Sequence, residues 1–362
     1  METFESLVRA EFAPKNTFLN TASNGLLPAR TVAALQEAAL LRAEGSPLDP
    51  LYEDVETARA VFARLAGVAV GRVAAGSSVS AHTGLVAASL PAGAEVLTAE
   101  GDFTSVVNPF HARGDLKVRA VPLERLAESV RPGTALVAVS SAQSADGRIA
   151  DLPALREAAR EHGARTYVDV SQSAGWLPIK ADAQDFTVSV GYKWLLGPHG
   201  VAFLVVPENS QDSAGSGGSE DFGGLTPILA GWVAGENPWD SCYGPLAELA
   251  HSARRFDLPP DLAAYAGMRR SLELVEELGV DALHAHDLAL ADRFRTGLAA
   301  LGHEPVPAPG SAIVSVPGLG DRRPRLNSAG IQTAERAGNL RVSFHLYNTS
   351  DDVDRLLDVL SG

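Results

Sequence analysis

From Leu51 to Val206 the chain switches repeatedly between two hydrophobic rhythms. EDVETARAVFARLAG (53–67) and LPALREAAREHG (152–163) place apolar residues every three or four positions, the spacing of a helix with one buried stripe. Gly163 closes the second in the left-handed position that glycine favours after a helix. SVSAHTGLVAASL (78–90) reads as a third helix, rich in small residues. Among them lie short strand-like runs: EVLTA (95–99), KVRAV (117–121), ALVAVSS (135–141), TYVDV (166–170), FTVSV (186–190) and GVAFLVV (200–206). Strands interleaved with helices predict βαβ units and a mostly parallel sheet covered on both faces.

Later segments read differently. Two long helices are predicted within 261–278 and 280–301, then strand-like SAIVSVP (311–317) and NLRVSFHLY (339–347), and a closing helix, DDVDRLLDVL (351–360). The expected architecture is α/β. An N-terminal arm (1–30) precedes a large domain (31–259) with a mostly parallel central sheet, followed by a smaller α+β C-terminal domain (260–362). ENSQDSAGSGGSEDFGG (208–224) is polar and Gly/Ser-rich, which suits an inserted loop or a lid.

Composition narrows the function classes. A length of 362 residues exceeds what one compact core usually supports, in line with one large and one small domain. The net charge of −14 repels phosphate backbones and anionic lipid, so neither nucleic acid nor membrane is an expected partner. The N-terminal stretch has no apolar signal core, and no uninterrupted apolar run reaches the roughly 18 residues of a membrane span, so a cytoplasmic protein is expected. The single cysteine, Cys242, rules out an intrachain disulfide framework, and within its Trp-rich segment it is expected to be buried. His82, His199 and His345 lack the spacing of metal ligands; no metal is expected, and they read as packing, capping or supporting residues.

Candidate chemistry gathers after predicted strands. Asp169 ends TYVDV, and Gln172 follows it in DVSQSAG. Lys193 follows FTVSV, between Tyr192 and Trp194 in GYKWLLGPHG, where partial desolvation would lower its pKa toward nucleophilic use. Open α/β sheets place ligands outside the carboxyl ends of their strands, which is where both residues fall. Gly76-Ser77-Ser78 opens a helix whose free N–H groups suit a phosphate or, equally, are met by an ordinary serine cap. No G-x-G-x-x-G run accompanies it, which argues against a dinucleotide-binding dehydrogenase.

In that order these motifs, with FLNTASNGLLP (18–28) and RVSFHLYNTSDDVDRLL (341–357), resemble the aminotransferase class V superfamily of fold type I. That group includes cysteine desulfurases, kynureninases, isopenicillin N epimerase-like proteins and C–S lyases. The resemblance implies pyridoxal 5′-phosphate (PLP) held as a Schiff base on Lys193, with Asp169 paired to the ring nitrogen. By the same resemblance Gln143 and Gln172 lie near the ring oxygen, Ser77, Ser78 and Tyr192 at the phosphate, and Phe103 against the ring. Arg341 is placed at the substrate α-carboxylate, and Asn20, Asn24 and Gly25 line the substrate side.

Departures matter as well. The stretch GLGDRRPRLNSAGIQTAERAGN (318–339) lacks the mobile-loop cysteine that desulfurases use, so persulfide chemistry is not expected. Asp257-Leu258-Pro259-Pro260 stands where relatives carry a Gly-Thr that reaches the neighbouring subunit's phosphate, although a homodimer is still implied. The expected reaction is Cα deprotonation of an amino acid, leading to β-elimination from an S-substituted cysteine, with transamination as the alternative. Epimerisation or decarboxylation-coupled deamination are further routes through the same residues. Arg322, Arg323, Arg325 and Arg336, in a stretch read as a lid, suit either a second anionic substrate group or a plain solvated basic loop.

Overall fold

The computed structural model describes residues 4–208 and 222–362. The Gly/Ser-rich insertion, apart from its ends, lies outside the described residues. Twelve strands are described: β1 (Thr17–Phe18), β2 (Val73–Gly76), β3 (Glu95–Ala99), β4 (Lys117–Val121), β5 (Thr134–Ser140), β6 (Arg165–Asp169), β7 (Phe186–Val190), β8 (Ala202–Val205), β9 (Ile313–Val316), β10 (Ile331–Gln332), β11 (Ala334–Arg336) and β12 (Asn339–Ser343). The α-helices are α1 (Phe4–Glu11), α2 (Ala29–Glu44), α3 (Asp49–Ala66), α4 (Val79–Ser89), α5 (Thr104–Ala112), α6 (Leu152–His162), α7 (Leu262–Leu278), α8 (Val280–Ala300), α9 (Arg323–Ser328) and α10 (Ser350–Ser361).

Seven strands form the central sheet in the order β2-β8-β7-β6-β5-β3-β4, and only β8 runs against its neighbours. Both faces of this sheet are covered. Val168, Val201, Phe203 and Val205 pack with Phe62 and Tyr265 on one side. Tyr167, Phe186, Val188 and Leu204 pack with Leu85 and Phe110 on the other. This two-sided burial explains why the inner strands read as apolar runs without alternation, while the edge strand β4 stays half-exposed. Helix ends obey local chemistry too: Asp151 caps α6, which Gly163 ends at φ 68, and Thr349 and Asp352 cap α10 reciprocally.

A second, antiparallel sheet, β11-β12-β9, builds the C-terminal unit. The N-terminal arm joins it, because β1 pairs in parallel with β10 and Asn20 bridges to Ser343. Helix α7 lies beyond the boundary expected at residue 260. Yet its Ala264, Tyr265, Met268 and Leu272 enter the core of the large sheet, so it is shared between the two units. The stretch expected as a lid (318–339) folds instead as α9, β10 and β11, with Leu326, Ile331 and Leu340 in one core. Among the described residues no helix is long and apolar enough to cross a membrane.

Candidate active site

The loops leaving β2, β3, β5, β6 and β7 at their carboxyl ends bring the candidate residues to one edge of the sheet. Asp169, the last residue of β6, is 4% exposed, and its Oδ1 accepts the Ser171 N–H at 2.8 Å. Burial raises its pKa, while the charge of Lys193 pulls it back down. Lys193 is 5% exposed, and its Nζ makes no hydrogen bond or ion pair with any described residue. Burial lowers its pKa to about 8; Asp169 opposes the change, and Arg341 and Arg336 add to it. Its Nζ stands 4.9 Å from the centre of the Phe103 ring and 5.8 Å from that of Tyr192. The result is a partly neutral buried amine, electrostatically coupled to a buried acid.

The chain around Lys193 is held from several sides. Trp194 and Leu196 are buried, and Leu196 adopts the left-handed region at φ 58, a strained choice for a bulky residue. Ser271 Oγ donates to the Leu196 carbonyl at 2.8 Å and anchors it. The N-terminal loop presses on this turn through Gly25, whose N–H donates to the Tyr192 carbonyl at 2.9 Å. Any Cβ at Gly25 would overlap the Lys193 carbonyl oxygen, so only glycine permits the approach.

At the other end, Ser78 caps α4 by accepting the Ala81 N–H at 3.3 Å, and Ser77 is exposed beside it. Their hydroxyls and the free N–H groups of the helix start suit a phosphate. The imidazole of His82 lies beneath Gly76, where a Cβ would meet Nε2 at 2.5 Å. Burial lowers the His82 pKa to about 4, so the ring is neutral, and its buried Nε2 has no partner. Asp257 braces the strand that leads here: it accepts the Ala75 N–H at 2.7 Å and pairs with Arg59 at 2.6 Å. Tyr192 stacks on His199 at 3.9 Å between ring centres.

Phe103 is 42% exposed, with one face toward the lysine. The preceding Asp102 escaped sequence reading. It is buried, accepts the Ser140 hydroxyl and N–H at 2.6 and 2.8 Å, and raises the pKa of Asp169 by its charge. An acid three residues past the end of β3 and immediately before a ring-stacking candidate was the available signal.

The two glutamines differ in how firmly the protein engages their amides. Gln172 Nε2 donates to the Ala22 carbonyl and to Ser144 Oγ, both at 2.9 Å, and its Oε1 accepts the Trp194 indole N–H at 2.9 Å. Both amide protons are therefore committed to the protein, and Gln172 props the loop next to Lys193 rather than offering a free donor. Gln143 reaches Asp102 at 3.4 Å and the Ser140 carbonyl at 3.3 Å, long contacts that a better acceptor would displace.

Arg341 is 1% exposed, yet no acid faces it among the described residues. Nη1 donates to the Ser144 carbonyl at 2.5 Å and its hydroxyl at 3.1 Å, Nη2 donates to Ser23 Oγ at 2.7 Å, and Nε has no partner. Burial, then the charge of Arg336, pushes its pKa down, but not far enough to discharge a guanidinium at neutral pH. A buried cation without a counter-acid is costly unless an anion is delivered to it. Ser23 and Ser144, which orient it, carried no sequence signal; loop serines are too common. Asn20 Oδ1 accepts from Ser23 Oγ at 2.8 Å, and Asn24 Oδ1 lies 2.9 Å from His199 Nε2. Both asparagines therefore shape the N-terminal loop. Cys242, expected to be buried, is exposed: its segment turns over the surface beside Trp239 and Tyr243, themselves 66% and 94% exposed.

Together these groups fit PLP: an amine free for its aldehyde, an acid for its ring nitrogen, and a helix start for its phosphate. Among the described residues Lys193 Nζ has no hydrogen bond or ion pair and Arg341 has no counter-acid, the two observations that match a cofactor and a substrate carboxylate. The family model for aminotransferase class-V matches residues 36–317. An uncharacterized aminotransferase, YcbU, of Bacillus subtilis is 28% identical over 88% of this chain and 86% of its own. A kynureninase of Deinococcus radiodurans is 28% identical over 76% of this chain and 70% of its own. The apo cysteine desulfurase of Thermococcus onnurineus superposes with a TM-score of 0.83 over 100% of this chain and 98% of its own, at 21% identity, a likeness of fold.

Proposed function

The chain belongs to the aminotransferase class-V family, and from that premise we propose that it removes the Cα proton of an α-amino acid, with β-elimination from an S-substituted cysteine as the outcome. It is a PLP-dependent enzyme. When bound, the cofactor supplies an aldehyde for amine capture and a ring that draws electrons away from the substrate's Cα. The protein's residues do the rest. Lys193 would tether the cofactor and, once released, carry the proton at its Nζ; the burial that lowers its pKa in the cofactor-free protein favours the neutral amine that such a base needs. Asp169 keeps the ring nitrogen protonated, and Phe103 covers one face. Ser77, Ser78 and the start of α4 hold the phosphate, with Tyr192 alongside. Arg341 orients the α-carboxylate through a fork preset by Ser23 and Ser144. Gln172 holds Trp194, and hence the lysine turn, in place.

One observation carries this reading: a buried amine with a lowered pKa, coupled to a buried acid and without a hydrogen bond or ion pair among the described residues. Persulfide transfer is disfavoured because the chain's only thiol, Cys242, sits in the exposed Trp-rich segment and not among the residues around Lys193. The aminotransferase among the relatives supports transamination as a second reading. A homodimer is part of the proposal.

The experiment has two stages. Purified protein should be yellow, borohydride should fix the cofactor to the peptide containing Lys193, and Lys193→Ala should remove the colour. Cysteine conjugates should then give pyruvate and ammonia without a keto-acid acceptor; strict dependence on an acceptor would replace elimination with transamination.

A further inference from the structure

Arg336 and Arg341 lie on adjacent, antiparallel strands β11 and β12. Their guanidinium groups converge on one hydroxyl: Ser23 Oγ is 2.7 Å from Arg341 Nη2 and 3.2 Å from Arg336 Nη2. Ser23 donates its own proton to Asn20, so both arginines meet its lone pairs. Neither arginine forms an ion pair with a described residue. Glu335, the acid next to Arg336, is turned away and accepts the Gly338 N–H at 2.9 Å. The two cations therefore repel each other across the site, and the charge of Arg336 is felt at both Arg341 and Lys193. Of the four arginines singled out in the stretch 318–339, only Arg336 reaches this place. Arg322 and Arg323 lie at the start of α9, and the Arg325 guanidinium sits beside Gly362 at the chain end.

One α-carboxylate on Arg341 leaves the second cation uncompensated. We propose that the substrate carries a second carboxylate on its side chain, bound by Arg336 while Arg341 holds the α-carboxylate. This rests on the amino-acid reading above and adds a substrate class to it. Arg341 is buried and preset, as suits the group common to all amino acids. Arg336 is exposed and held by the Ser23 hydroxyl and by the Glu335 backbone carbonyl, which accepts from its Nη1 at 2.7 Å, with no acid paired to it among the described residues, as suits a variable distal group.

The test is calorimetric titration of the cofactor-loaded enzyme with acids that lack an amino group and are not turned over. Succinate, glutarate and adipate are compared with butanoate, pentanoate and hexanoate. At least one dicarboxylate should bind about tenfold or more tighter than its monocarboxylate partner, the scale of one added charge-assisted pair. Arg336→Gln should abolish that preference and shift monocarboxylate affinity by less than about twofold; Arg341→Gln should weaken both series. Equal binding of the two series, or an Arg336→Gln enzyme with unchanged dicarboxylate affinity, overturns the proposal and leaves the amino-acid reading intact. If neither series binds and Arg341→Gln changes nothing, both fall together.

Discussion

The imidazole of His345 lies 2.8 Å from Asp287 Oδ2, with both side chains fully buried. Its other nitrogen, Nε2, lies 3.0 Å from the Trp194 carbonyl oxygen. A carbonyl only accepts, so Nε2 carries a proton, and a second proton is held between Nδ1 and the carboxylate. Burial raises the Asp287 pKa, His345 opposes that, and Asp287 Oδ1 has no hydrogen-bond partner among the described residues. The pair thus fixes the peptide bond between Trp194 and Leu195, one residue past Lys193.

His345→Ala would strand the Asp287 carboxylate without its partner. The expected cost is about 3–5 kcal/mol of unfolding free energy, read by urea denaturation. Loosening Trp194 should also raise the rate of cofactor loss in dialysis. Asp287→Asn removes the charge but keeps a polar neighbour for His345, so it should be milder on both counts.

Lys193 is expected to destabilise the cofactor-free protein. Its pKa falls from 10.5 to about 8 on folding, chiefly through burial. The unfolded chain binds the extra proton between those values, so stability rises with pH across that window and is lowest below it. Lys193→Met should therefore stabilise the cofactor-free form at pH 7 by up to about 3 kcal/mol, with a gain that shrinks from pH 8 to pH 10.5. A gain that does not change with pH would contradict the assignment.

Arg341→Leu and Arg341→Lys separate binding from stability. Replacing a buried cation that has no counter-acid by an apolar chain should leave stability unchanged or raise it by roughly 1–3 kcal/mol, read as a shift in Tm. Carboxylate binding should be lost. Lysine cannot bond Ser23 and Ser144 together, so Arg341→Lys should raise KM by about tenfold or more with a smaller change in kcat.

Gly76→Ala should weaken cofactor affinity, because the new methyl meets the His82 ring at 2.5 Å and pushes α4 and its serines away from β2. His82→Ala should restore much of the loss when combined with it. Fluorescence titration of the four forms gives the coupling directly, and strict additivity would show that the two positions do not communicate.

Much of the large domain was legible in one dimension. β3, β5, β6 and β7 coincide with the apolar runs within a residue or so, because strands buried on both faces must be apolar throughout, and the half-exposed edge strand β4 was found at its expected position as well. Elements with a weak signal escaped. β2 (VAAG) has one branched residue, α2 buries little beyond Thr31 and Ala38, and α5 contains Pro109. Their identity depends on what they pack against.

The site divides along the same line. Lys193, Asp169, Ser77 and Ser78 could be named from the sequence because each stands next to a predicted strand or helix end, whereas Phe103 and Arg341 were implied only by the family resemblance. Tertiary structure alone decided that Gln172 is committed to Trp194 and Ser144, that Asp102 lies within electrostatic reach of Asp169, and that Ser23 joins Arg336 to Arg341. These contacts link residues far apart in the chain, and a hydrogen bond depends on distance and direction, which no local periodicity encodes.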